Sequence, residues 1–406
     1  MFDGILCGFS AVLLSAGVFL SALTGTMTAS GTRPESITFY TKEEDQSSAV
    51  SKSAGARGTL SGADDDVTII MIGDMLMHMP VVRSGRKEDG SYNFDHLFAH
   101  VQGVTRSADL AIVNQETILG GEELGGYTGY PLFNSPFAVA DAEAAAGFDV
   151  VLQGTNHALD RSVRGISNCL NYWETNHPAV QVLGIHDSAE DQQEICVYNV
   201  KGIRIAVLNY TYGLNGLQMP AGKGYLVDVL DQEKVLSDIE RAEAMADFTV
   251  VCPHWGTEYQ LKASPYQKRW AQLFLENGVD LVIGTHPHVI EPVEILEDDA
   301  GHVMPVYYSL GNFVNATAIF KPGVMNRAVG GMASVTIGRD AGGKVCVKQA
   351  AVYPVVCHET KESVTAYFLS DYSQALANEN RFKQRDAGFS MQGIRELVEK
   401  VWPGNG

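Results

Sequence analysis

Basic residues are scarce in this chain. Its 406 residues include 29 Lys and Arg against 48 Asp and Glu, for a formal net charge of −19. No basic stripe exists to neutralise a row of phosphates, which excludes nucleic acid as a partner. The same charge sits awkwardly with a polyanionic ligand, which would have to be drawn in locally by bound metal or by Lys262, Lys268 and Arg269. A solvated helix face is the plainer account of those three side chains. Cysteines are few and scattered, at 7, 169, 196, 252, 346 and 357, with no Cys-x-x-Cys pair. That pattern offers no thiolate zinc site and demands no disulfide framework. No internal repeat is visible. Core material is not lacking, because 45% hydrophobic and 9% aromatic residues exclude a disordered chain and can fill a sizeable core.

Five apolar runs each stop at a residue able to bind a hard or borderline metal. Val67–Gly73 ends on Asp74, Leu110–Val113 on Asn114-Gln-Glu116, and Val150–Gln153 on Gly-Thr-Asn156-His157. Val250–Cys252 ends on Pro-His254-Trp-Gly-Thr-Glu258, and Leu281–Ile283 on Gly-Thr-His286-Pro-His288. Short runs rich in Val and Ile, bounded by Gly or Pro, are expected to be buried strands. In α/β sheets, ligands gather where such strands end. Five such ends point to one site assembled from distant segments. Carboxylate, amide oxygen and imidazole without thiolate suit Mn, Fe or Zn. Seven candidates are too many for one tetrahedral ion and about right for two, so a dinuclear centre is expected.

Each residue also has a plainer account. Gly73-Asp74 taken alone is a turn. Asn156-His157 could cap a helix starting near Asp160. His254 beside Trp255 could be a half-buried histidine bonded to backbone. His286-Pro-His288 is harder to dismiss, since an extended segment would put both imidazoles on one side and Pro287 disfavours the α region for His286. The conjunction, not any one residue, supports metal.

The segments Gly73-Asp74, Asn114-Gln-Glu116, Thr155-Asn-His-Ala-Leu-Asp160, His254-Trp-Gly-Thr-Glu-Tyr259, Gly284-Thr-His-Pro-His288 and Tyr308-Ser-Leu-Gly-Asn-Phe313 stand in this order. Over Val67 to Val356 the chain thereby resembles the CapA (PgsA) poly-γ-glutamate capsule proteins. That family is similar to the calcineurin-like metallophosphoesterases, which implies an α/β fold: a four-layer α-β-β-α sandwich with two mixed sheets. The resemblance implies Asp74 and His288 on one metal, Asn156, His254 and His286 on the other, and Glu116 as the bridge. His157 would lie just outside as acid or oxyanion stabiliser, so Glu116 and His157 are the expected catalytic residues. Two departures stand out. Phosphoesterases place His two residues after the first Asp, whereas Leu76 stands there and His78 follows. Thr155 and Ser162 replace an Asn and a Gly usual in the capsule family.

Residues 5–23 are long and apolar enough to span a bilayer, and the first charge after Asp3 is Arg33. A single-pass N-terminal membrane anchor or signal segment is expected at 1–28, then a flexible linker at 29–66 rich in Ser, Thr, Gly and acidic residues. The globular domain is expected at 67–358 and a helical tail at 359–406. Helices are expected at 136–147, 160–174, 231–246, 264–277 and 364–378. Strands are expected at 203–209, 293–296, 306–310, 333–337 and 345–356, with an amphipathic run at 394–401. Helices alternating with strands indicate mixed sheets covered by helices.

The function expected is that of an anchored protein of the bacterial cell surface, its domain facing outside. It would carry a two-metal hydrolase site used in making, trimming or anchoring poly-γ-glutamate or another envelope polymer. Two rivals remain: a non-catalytic assembly subunit holding polymer or a membrane synthase, and a metal-dependent phosphomonoesterase or nucleotidase. Metal separates enzyme from scaffold, because a scaffold has no need for seven convergent ligand-type residues.

Overall fold

The computed structural model describes residues 65–404. The expected anchor, and all but the last two residues of the expected linker, lie outside them. Among the described residues no helix is long and apolar enough to cross a membrane.

The first strands, β1 (Val67–Met75), β2 (Leu110–Asn114), β3 (Val150–Leu152) and β4 (Gln181–Leu183), run parallel. Next come β5 (Cys196–Val200), β6 (Ile203–Thr211), β7 (Phe248–His254), β8 (Leu281–Ile283), β9 (Val293–Glu297) and β10 (Val303–Tyr307). The last are β11 (Asn312–Val314), β12 (Val329–Arg339), β13 (Val345–Glu359) and β14 (Val364–Phe368). Two mixed sheets result. One has the order β14-β13-β12-β1-β2-β3-β4 with β11 beside β1, and the other β5-β6-β7-β8-β10-β9.

Strand alternation sorts the buried side chains into three apolar layers. Val67, Ile69 and Met71 of β1 meet Ile205, Val207 and Val250 of the second sheet in the space between the sheets. Ile70 and Ile72 point the other way, toward helices α1 (Ala138–Ala145) and α2 (Ser162–Asn176). On the far side, Ala206, Leu208 and Val251 pack beneath α3 (Gln232–Met245) and α4 (Pro265–Glu276). Three apolar layers separate four layers of structure, giving the α-β-β-α sandwich. Strands buried on both faces explain why these runs are continuously apolar. Helix starts follow side-chain chemistry: Asp231 caps α3, and Ser264 with Gln267 forms a capping box on α4.

The C-terminal segment differs from expectation. Residues 364–368 form an edge strand paired with β13 rather than the start of a helix. The helix begins only at Gln374, where the Ser373 side chain accepts from the Leu376 amide; Val, Thr, Tyr and Phe upstream favour the extended chain. Nor is the end of the chain a detached tail. Helix α5 (Met391–Val401) buries Ile394, Val398 and Val401 in the layer between the sheets, and the Trp402 indole donates to the Glu291 carbonyl.

One charged cluster fastens the loop after β4 to α3. The His186 ring nitrogens lie 3.1 Å from Asp191 and 2.7 Å from Asp228, and Lys234 reaches Asp228. Burial opposes the imidazolium, but the two carboxylates outweigh it and hold the His186 pKa up at about 9, from 6.5. A folded-state value above the unfolded one gives stability that is full below pH 6.5 and lost as pH rises through 9. With Asp191 half-exposed, the loss is about 2 kcal/mol. Urea denaturation at pH 6 and pH 9.5 should show a loss larger by about this amount in the parent chain than in His186→Gln; equal losses would discount the cluster.

Candidate metal centre

The carboxyl ends of β1, β2, β3, β7 and β8 meet at one edge of the sandwich, where both sheets deliver side chains. Asp74 arrives on β1, and Glu116 just beyond β2. Asn156 and His157 follow β3, His254 ends β7, and His286 and His288 follow β8. All are buried. Within 4.8 Å of one another lie ligand atoms of Glu116, His254 and His286, and likewise those of Asp74, Glu116 and His288. Glu116 belongs to both groups. The His254 and His286 ring centroids are 4.9 Å apart, and those of His286 and His288 5.8 Å. Asn156 Oδ1 lies 2.9 Å from His254 Nε2. The strand ends therefore bring all six expected metal-binding residues into one small volume.

Surrounding groups hold these side chains in place. Asn114 donates to Asp74, and the His286 amide donates to the same carboxylate. His288 Nδ1 lies 3.1 Å from Asp74 and 3.2 Å from Asn312 Oδ1. His254 Nδ1 lies 3.0 Å from the Thr285 hydroxyl, leaving Nε2 to face Asn156. Such supporting contacts fix the tautomer and aim of a metal-binding imidazole. The conformation behind the last two histidines corrects the expected one. His286 and His288 take φ of 98° and 58°, so a left-handed turn and not strand alternation presents both rings. His tolerates this region better than most residues, and such strain gathers at functional sites.

The plainer accounts fail on geometry. Asp74 lies within β1 and not in a turn. Asn156 donates to Asn215 rather than capping α2, which lacks a side-chain cap. His254 is fully buried and bonds side chains. Ser162 takes φ 56°, in the left-handed region that glycine adopts most easily.

The donor set fits divalent metal. Both Glu116 carboxylate oxygens and His286 Nδ1 are buried without a hydrogen-bond partner. A carboxylate left so costs free energy unless a cation compensates it. Burial pushes the Glu116 pKa well above the usual carboxylate range, with His288 opposing and Asp74 adding to the rise. Burial, reinforced by neighbouring imidazoles, drives His254 and His286 well down, so both are neutral, the form a metal binds. His288 goes the other way: burial is outweighed by Glu116 and Asp74, which raise it to about 9.

His157 stands at the margin. Its Nε2 lies 4.0 Å from Glu116 Oε1, while Nδ1 lies 2.8 Å from Asp160, which also accepts from the Phe133 amide. Nδ1 is thereby tied back, and Nε2 faces the centre. His78 lines the adjoining cavity, its Nδ1 accepting from the Ala316 amide at 3.3 Å, outside both candidate ligand groups. On the outer face of α4, Lys268 pairs with Glu294, as on a solvated helix face. The cation at the cavity is Arg327, with nothing beside it in sequence to mark it. The role of Asn312 was also hidden, though its motif was visible. It links His288 to the Arg327 carbonyl, to which it donates at 2.9 Å. Close packing puts β11 here: a Cβ on Gly73 would lie 2.0 Å from the Gly311 carbonyl oxygen, which accepts from the Asp74 amide.

A sequence model of the family described as bacterial capsule synthesis protein PGA_cap matches residues 68–317. The capsule biosynthesis protein CapA of Bacillus anthracis is 26% identical over 260 residues, covering 62% of this chain and 60% of that protein. The PGA biosynthesis protein CapA of Bacillus subtilis (strain 168) is 27% identical over 267 residues, covering 62% and 64%. The matches thus span less than two thirds of either relative's length. Among solved structures, the NAD nucleotidase of Haemophilus influenzae is 11% identical with a TM-score of 0.44, covering 82% of this chain and 66% of that one.

Proposed function

This chain belongs to the bacterial capsule synthesis family, and on that premise we propose that it is a cell-envelope hydrolase trimming poly-γ-glutamate at a two-metal centre. One observation carries the reading. Glu116 presents two buried carboxylate oxygens without a hydrogen bond, shared between the His254–His286 pair on one side and Asp74 with His288 on the other. An assembly subunit would gain nothing from burying a carboxylate without hydrogen bonds.

Asp74, Glu116 and His288 would hold one ion, and Glu116, Asn156, His254 and His286 the other, with Mn, Fe or Zn all suited to the donors. When bound, such ions activate water and polarise a scissile carbonyl. The residues themselves do the rest. Asn312 and Asp74 hold the His288 ring, and Thr285 holds the His254 ring. Asp160 keeps His157 Nε2 directed at the centre, where it can protonate the departing amine or steady a developing oxyanion. The expected anchor at 1–28 would set this site on the outer face of the membrane, against polymer or a synthase.

The test is reconstitution. The purified chain, loaded with Mn, Fe or Zn, is assayed for metal content and incubated with poly-γ-glutamate, nucleoside monophosphates and an aryl phosphate. About two ions per chain and a falling polymer length are expected. Only trace metal, with the polymer intact, would replace this reading with the assembly subunit. Rapid phosphoester cleavage beside intact polymer would replace it with a phosphomonoesterase.

A further inference from the structure

The wall of the same cavity holds a charge that the metal centre does not use. Arg327 is 7% exposed and lines the cavity together with His157, His288 and Tyr259. Its guanidinium carbon lies 3.6 Å from the centroid of the Tyr259 ring, and Nη1 donates to Thr317 at 3.3 Å. Among the described residues no carboxylate lies within ion-pair distance of it. The contrast with Arg385 is instructive, since that guanidinium is equally buried but bridges both oxygens of Glu359. A buried cation without a counter-ion is costly, and cation–π contact offsets only part of the cost.

The backbone that carries Arg327 is fixed to the centre. Its carbonyl accepts from Asn312 at 2.9 Å and from Asn315 at 2.6 Å, and the same Asn312 touches His288. The Tyr259 ring that stacks on the guanidinium lies 6.0 Å from the His288 ring. Guanidinium and the His288 ring therefore line one cavity, joined through Asn312 and through the Tyr259 ring. A planar fork with free donors, beside a centre that acts on a neighbouring bond, matches a planar carboxylate.

We infer that Arg327 is a substrate-binding residue that pairs with a carboxylate next to the bond presented to the metal centre. This rests on the polymer reading above and specifies it. In a γ-linked glutamate chain the α-carboxylate sits on the carbon bonded to the amide nitrogen, so one such group always accompanies the scissile bond. The device also answers how a chain of net charge −19 can attract a polyanion. The attraction is local, through one buried cation, while the surface repels loosely held polymer.

The experiment is a binding cycle. The full chain and Arg327→Met are titrated with a γ-linked glutamate trimer and with the same trimer bearing α-carboxamides, first without added metal and then with Mn. The parent chain should prefer the carboxylate trimer by about 10–100-fold, the range for a hydrogen-bonded charged pair, and Arg327→Met should lose that preference. Arg327→Lys should restore part of it, and Thr317→Val, which removes the orienting acceptor, should weaken it by a few-fold. Unchanged preference in Arg327→Met overturns the assignment. So does loss of inorganic phosphate binding with the trimer preference intact, which would make Arg327 a phosphate contact. If Arg327→Met melts early, the Lys and Val variants decide: unchanged preference in both overturns the inference. The metal-free titration reads Arg327 whether or not the centre hydrolyses anything, so failure of the hydrolase reading and failure of this one are separable.

Discussion

Glu116→Gln is expected to halve metal content or worse and to remove turnover, while leaving the metal-free fold at least as stable as the parent. The two effects have one cause. Both Glu116 oxygens are buried without a hydrogen bond, and only the His288 ring 3.6 Å away offsets them, so in chelator the parent chain bears most of the cost of a desolvated carboxyl group. A neutral amide of the same shape lowers that cost. With metal present the balance reverses, because the carboxylate is the only residue common to both candidate ligand groups. At metal a hundredfold above its dissociation constant the parent gains about 2.7 kcal/mol, a gain the variant should largely lack. Turnover should fall by well over the ~10²-fold that follows loss of even a group supporting a ligand. Thermal melts in chelator and in Mn, run beside metal analysis, check each part. A variant that keeps two ions, or gains as much from Mn as the parent, would refute the bridging role.

Much of this site was legible because its logic is linear in sequence. A buried parallel strand must be apolar on both faces, so Val67–Ile72 or Leu281–Ile283 cannot hide, and the polar residues that follow such a run sit at the sheet edge. Asp74, Glu116, His254 and His286 could be found for that reason. Contacts that depend on a turn or on distant pairing could not. The two left-handed histidines look like strand alternation until the backbone is seen. Arg327 lies in a short turn after β11, and only the pairing of β11 with β1 brings it to the cavity. The helical pattern of residues 374–379 runs on upstream in sequence, although Ser373 caps it and the residues before fold as β14. Its pairing with β13 is a tertiary fact that local pattern does not contain.

His157→Ala should separate catalysis from metal binding. The ring is not in either candidate ligand group, and its Nε2 is 4.0 Å from the nearest Glu116 oxygen, too far for a shared proton in the resting site but close enough to reach a substrate held between them. Truncation leaves the metal-binding residues in place and, among their supports, removes only a 3.5 Å contact to Asn215, the side chain that accepts from Asn156. Asp160 Oδ2 keeps the Phe133 amide as a donor. Metal content should therefore stay near that of the parent while kcat falls ~10²–10⁴-fold, the usual loss of a general acid or base. The loss should be smaller for substrates whose leaving group needs no proton, and a poor leaving amine should suffer most. Asp160→Asn should give an intermediate loss, since it weakens the hold on Nδ1 without removing Nε2. Metal loss in His157→Ala equal to that in Glu116→Gln would make His157 a ligand. Turnover independent of leaving-group basicity would deny it the proton, leaving the oxyanion as the only group for Nε2 to serve.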